Sequence, residues 1–104
     1  METNAHFLYA GSLSWHKHQG KNCYKGNGAD NMSPEPYSNS LSLSDCQDAC
    51  ETDASCEGVV IVRGKESLVM CYKRKNIQLS DCRDNTNYEL YLKISGMLLS
   101  LIHI

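Results

Sequence analysis

The sequence is poor in most of what familiar sites are built from. Among 104 residues there are two prolines, one tryptophan and one phenylalanine. The most apolar stretch, ISGMLLSLIHI at Ile94–Ile104, falls short of the ~17–25 residues a membrane-spanning helix needs. Membrane insertion by this segment is therefore not expected. Neither charge dominates: ten Lys and Arg against twelve Asp and Glu leave a formal net charge of -2. That lacks the basic footprint of nucleic-acid binders, so nucleic acid is not an expected partner.

Catalytic signatures are missing as well. No G-x-S-x-G, H-E-x-x-H or phosphate-cradling glycine motif occurs, and GKNCYKGNG has neither the G-x-G-x-x-G order nor a βα unit after it. Of the four histidines, His6, His16 and His18 lie near the N-terminus and His103 in the last residues. Asp45, Asp48, Glu51 and Asp53 fall at spacings that put them on the polar side of a helix, where solvated acids are the rule. No catalytic residue, cofactor or enzymatic activity is expected. The opening METNAHFLYAGSLSW also lacks a basic n-region, an apolar h-region and a cleavage site.

Cysteine is abundant instead: six in a chain that is one domain at most. An even count at this density indicates an oxidising compartment. With no leader to carry it there, the expectation is that the sequence is a piece of a longer protein. The ending points the same way, because LSLIHI at Leu99–Ile104 reads as translation of a common library-preparation transposon adapter. Residues 95–104 are accordingly taken as a non-native or truncated tail, and residues 1–21 as an N-terminal linker or edge segment in which Phe7, Leu8, Tyr9, Leu13 and Trp15 could form a first strand. The domain proper is expected over 22–94.

Within it, NCYKGNGADN (Asn22–Asn31) reads as a short strand running into a glycine turn, and MSPEPYSNS (Met32–Ser40), which holds both prolines, as a loop or an irregular extended segment. Ser42-Leu-Ser-Asp45 has the form of a helix start, with the serine oxygen capping a free N–H. Leu43, Cys46, Ala49 and Cys50 then repeat at helical spacing on one face. Gly58 breaks into the β-branched run Val59–Val62, Arg63–Ser67 turns, and Leu68–Arg74 returns as an antiparallel strand. In Tyr88–Ile94, Tyr88, Leu90, Leu92 and Ile94 alternate with Glu89, Tyr91 and Lys93, the pattern of a strand with one polar face. The fold class is α+β: one helix across an antiparallel sheet.

A metal site is not expected. Structural zinc sites use paired C-x₂₋₄-C or H-x₃₋₅-H clips. Only Cys46-x-x-x-Cys50 comes near; Cys23, Cys71 and Cys82 stand alone, and His16 and His18 are expected to point apart. No C-x-x-C redox motif is present. Crosslinks remain. Cys50 at the helix end can close onto Cys56 just beyond it, Cys46 one turn earlier can reach Cys71 on the returning strand, and Cys23 is left with Cys82. On the chain-entropy model such loops contribute roughly 2, 3.5 and 4 kcal/mol, each an upper guide.

These residues together resemble the PAN/apple domain family: a first cysteine in NCY, a serine-capped helix SLSDCQDACETDASC, then GVVIV and a strand cysteine in MCYKR, covering about Asn22 to Lys93. The resemblance implies a curved antiparallel sheet cradling one helix, with Cys46–Cys71 and Cys50–Cys56 linking helix to sheet and an apple-type bridge Cys23–Cys82. One departure is that Cys82 precedes the expected last strand by several residues, whereas apple domains carry that cysteine close to their end. The family also implies an extracellular, secreted or surface-protein module that binds protein or carbohydrate without catalysis, as in adhesion. The alternatives are an accessory domain of a secreted hydrolase or a spacer without ligand.

Charge placement nominates a binding surface. Arg63, Lys65, Lys73, Arg74 and Lys75 cluster on the expected hairpin and could meet an acidic polysaccharide, although they could equally balance the five carboxylates between Asp45 and Glu57. On the first reading, Lys73→Glu with Arg74→Glu weakens polyanion binding and leaves the fold intact. Tyr24, Tyr37, Tyr72 and Tyr91 could stack on sugar rings or simply half-fill the sheet. Asn31-Met-Ser33 has the form of a glycan acceptor, with Pro34 after it.

Overall fold

The computed structural model describes residues 14–94; the 95–104 segment and residues 1–13 lie outside that range. In chain order the elements are strand β1 (Ser14–Asn22), β2 (Tyr24–Lys25), β3 (Gly28–Asn31), β4 (Ser38–Ser42), helix α1 (Leu43–Glu51), β5 (Gly58–Arg63), β6 (Leu68–Lys75), a 3-10 turn (Leu79–Asp81) and β7 (Arg83–Ile94). They form one curled sheet in the order β1-β7-β5-β6-β3-β2, antiparallel but for the short β2–β3 pair. This is an α+β, disulfide-stapled fold.

The helix begins where local chemistry starts it. Ser42 sits in extended conformation and its hydroxyl accepts from the Asp45 N–H at 3.1 Å, satisfying one of the free N–H groups at the helix end. Cys46 and Cys50 are fully buried on the inner face. Their neighbours on the sheet are Val59, Ile61, Val69, Cys71 and Tyr91, with Trp15, Met32, Leu41 and Leu43 at the margin. The opposite face has its own core of Cys23, Ala29, Val60, Cys82 and Leu90, flanked by Tyr72, Ile77, Leu79, Tyr88 and Leu92. The central strand β5 serves both, Val59 and Ile61 on the helix side and Val60 on the other, which is why its sequence is an unbroken apolar run.

Three disulfides join Cys46 to Cys71, Cys50 to Cys56 and Cys23 to Cys82, and no cysteine is free among the described residues. The first two tie α1 to β6 and to the turn after the helix. The third ties the β1–β2 junction to the start of β7, on the face away from the helix.

Of the two readings of the N-terminal segment, residues 14–21 take the edge-strand one, pairing with β7 from Ser14↔Ile94 to Gln19↔Glu89. Three local expectations are revised. The loop assigned to Met32–Ser40 ends early, because Ser38–Ser42 forms β4 on the free edge of β6. β7 starts at Arg83, directly after Cys82, so the bridge does stand at the mouth of the last strand. Its supposed polar face is covered: Glu89 and Tyr91 are 7% and 8% exposed. Glu89 accepts two hydrogen bonds at 2.9 Å from Arg63 and one at 3.0 Å from the Tyr91 hydroxyl, and Tyr91 packs in the helix-side core.

Candidate functional site

The five hairpin cations do not make one patch. Strand alternation divides them, because Lys73 opposes Val59 on the helix side while Arg74 opposes Gly58 on the other. Lys73 is 8% exposed; its ammonium donates to Asp53 Oδ2 at 3.0 Å and lies 5.1 Å from the Tyr37 ring centre. Arg63 is engaged with Glu89 and the Tyr91 hydroxyl. Lys65 is exposed in the hairpin turn and, with Arg63, lines a hollow of about 190 Å³. Lys75 sits at the far end of β6, in register with Asp30.

These pairs hold the helix side together. Trp15 Nε1 of β1 donates to Glu51 at 3.1 Å and Lys93 Nζ of β7 to the Cys50 carbonyl at 3.2 Å, so both strands hold the C-terminal end of α1. The hydrogen bonds from Arg63 and Tyr91 hold the Glu89 carboxyl below its ordinary pKa against the opposing effect of burial. Burial, and then Glu89 beside it, pushes the Tyr91 hydroxyl up. Asp53 is held low chiefly by the hydrogen bond from Lys73. Glu89 and Asp53 carry charge, but each already has its partner.

The concave feature lies on the other face, a cleft of about 470 Å³, within the ~300–1,000 Å³ range of small-molecule sites. Its floor is Arg74, which is 3% exposed. The guanidinium donates to the Cys23 carbonyl at 2.7 Å, to the Lys73 carbonyl at 3.2 Å, and to both oxygens of Glu35 at 2.7 and 3.0 Å. Its centre also lies 5.0 Å from the Tyr72 ring centre. With four of five N–H donors used and its charge matched, Arg74 is a fixed floor.

The walls come from distant parts of the chain. Asn22 and Tyr24 flank Cys23, Arg83 follows Cys82, and the disulfide between them clamps the two walls together. Gly28 lets the chain pass close beneath, at φ +87° with room for no side chain: a Cβ would stand 2.7 Å from the Cys82 nitrogen and sulfur. Asn31 Oδ1 accepts from the Lys25 N–H at 3.1 Å, leaving its amide donors available beside the cleft. The far rim is a bulge. Between the pairs Gln19↔Glu89 and Lys21↔Asp84, β7 advances five positions while β1 advances two. That irregularity breaks strict alternation, so Arg83 and Asn85 line the same cleft as Tyr88.

Tyr24 and Tyr72 thus meet in the cleft, joined by Tyr88, while Tyr37 lies beside Lys73 and Tyr91 is in the helix-side core. Tyr72 has its hydroxyl pushed up by burial, with Tyr88 and Glu35 adding to it, so it stays a neutral donor. Among the described residues the hydroxyls of Tyr24, Tyr72 and Tyr88 have no side-chain hydrogen-bond partner, and Arg83, exposed at the rim, has no carboxylate partner. Arg83, Asn85 and Tyr88 were missed by sequence reasoning. The only signal for them was the polar run RDNTN ahead of an alternating strand.

His16 and His18, expected to point apart, share one face of β1, as residues two apart in a strand must, with ring centres 4.7 Å apart. No group of three or more His, Cys, Asp or Glu that could hold a metal occurs among the described residues, and no helix there is long and apolar enough to cross a membrane. No protein-family model, no curated protein and no solved structure matches the chain.

Proposed function

We propose that this chain is a non-catalytic, extracellular binding module of PAN/apple type, and that the cleft opposite the helix is its ligand-contacting surface, taking carbohydrate. The observation that carries the reading is the composition of that cleft. A rigid floor of Arg74 and Glu35 is surrounded by three half-buried tyrosines, Tyr24, Tyr72 and Tyr88, and by Asn22, Asn31 and Asn85. Aromatic faces take the apolar side of a sugar ring, and hydroxyls and amides pair with its polyol edge. Three disulfides support residence in an oxidising, extracellular setting, as part of a secreted or surface protein. One helix tied by one disulfide to an antiparallel sheet and by a second to the turn after it, with a third bridge elsewhere, supports the PAN/apple assignment.

Immobilised glycans test the reading. Wild-type protein should be retained by a subset of them, and Tyr72→Ala or Tyr88→Ala should lower retention at least tenfold with the thermal transition still cooperative. Retention that survives both substitutions would place the contact elsewhere. Blank arrays would favour a spacer without ligand.

A further inference from the structure

We propose that the cleft selects a sugar unit bearing a carboxylate, with Arg83 as the residue that reads the charge. The inference rests on the cleft being a saccharide site and adds the ligand's chemical class. Three charged residues line the cleft: Glu35, Arg74 and Arg83. Glu35 and Arg74 cancel, each carboxylate oxygen accepting from one guanidinium nitrogen. Arg83 is the surplus. The acid next to it in sequence, Asp84, is taken by Lys21 in a pair at 2.6 Å. Lys21 of β1 thus takes up Asp84, and among the described residues Arg83 has no carboxylate partner at the mouth.

The chemistry of an exposed guanidinium suits a carboxylate. A guanidinium presents parallel N–H donors that fit the two coplanar oxygens of a carboxylate. Arg83 is also anchored where it stands, between the Cys82 crosslink and its register partner Asn22. Tyr72 and Tyr88 line the same cleft. One ligand suits both the cation and the tyrosines: a polyol ring with an acid group at its edge. A uronic acid of a polysaccharide and a sialic acid capping a glycoprotein share that chemistry.

Calorimetric titration with methyl glycosides separates the possibilities. The probes are methyl glucuronide, methyl glucoside and the methyl glycoside of N-acetylneuraminic acid. At low salt, at least one acidic glycoside should bind tenfold or more tighter than the neutral one, a difference of about 1.4 kcal/mol. Which acid is preferred distinguishes polysaccharide from glycoprotein cap. Arg83→Gln should erase the preference while the affinity for methyl glucoside stays within twofold, and Lys65→Gln, at an exposed cation far from the cleft, should change nothing. Equal affinity for neutral and acidic sugars would overturn the inference and leave the saccharide site standing. A loss in Lys65→Gln as large as in Arg83→Gln would reduce the preference to diffuse charge and overturn it too. If no glycoside bound, the reading of the cleft would fall, and this inference with it.

Discussion

Glu89, Asp53 and His18 make stability depend on pH in two separate ranges. Glu89 and Asp53 have folded pKa values below the ordinary carboxylate range because Arg63 and Lys73, respectively, hydrogen-bond them. A lowered acid contributes stability that is present above about pH 4 and lost as pH falls through its folded value. His18 behaves differently. Burial, helped by His16 and Lys21 nearby, lowers its pKa, and among the described residues its buried Nε2 has no hydrogen-bond partner. The unfolded chain therefore takes up that proton first, and stability declines as pH drops below about 6.5. Urea midpoints should fall gently from pH 7 to 5 and steeply below about 4; His18→Gln should flatten only the upper part. A flat profile down to pH 4 in the wild type would contradict the burial of His18.

Lys73 and Arg74 carry a second prediction at this scale, and it reverses the expectation drawn from sequence. Both are buried and matched, so Lys73→Glu with Arg74→Glu sets new carboxylates against Asp53 and Glu35. Removing one partner of a buried pair costs about 3–5 kcal/mol, less here because Asp53 and Glu35 are about a third exposed. Two reversals should consume most of a stability of about 5–15 kcal/mol. Differential scanning calorimetry should show no cooperative transition for the double variant; a wild-type melting profile would show that the pairs are dispensable.

Among the elements, those set by local chemistry were legible. Ser42 capping Asp45, the Leu43–Cys46–Cys50 face and the Val59–Val62 run each announce their element within a few residues. β4 was not legible: Ser38–Ser42 is polar, and it becomes a strand only because β6 offers an unpaired edge. The first half of β7 was hidden by its bulge, which erases the alternation that marks a strand. The cleft was illegible for a different reason. Tyr24, Tyr72, Arg83 and Tyr88 come from three strands, and only sheet order and the Cys23–Cys82 bridge, spanning 59 residues, bring them together. Cys23→Ser with Cys82→Ser tests that bridge. Stability should drop by up to about 4 kcal/mol, while the far-UV spectrum keeps its helical signal, since α1 is held by the other two disulfides. An unchanged melting temperature would mean the bridge constrains little.

Across the whole molecule, one sheet separates two jobs. The helix side ties up its charged residues in internal contacts: Lys73 with Asp53 just beyond α1, Arg63 of β5 with Glu89 of β7, and Glu51 of α1 with the Trp15 indole. The opposite side spends one disulfide and one buried ion pair on keeping a polar, tyrosine-lined hollow open to solvent. The two cores share β5, so the floor of the cleft is only as firm as the packing of the helix behind it. The most direct measurement of this division is a map of backbone amide shifts in ¹⁵N-labelled protein during titration with the best-retained glycan. The account predicts that perturbed amides concentrate at Asn22–Tyr24, Tyr72–Arg74 and Arg83–Tyr88. Perturbations centred instead on the helix or on the hairpin turn around Lys65 would contradict it.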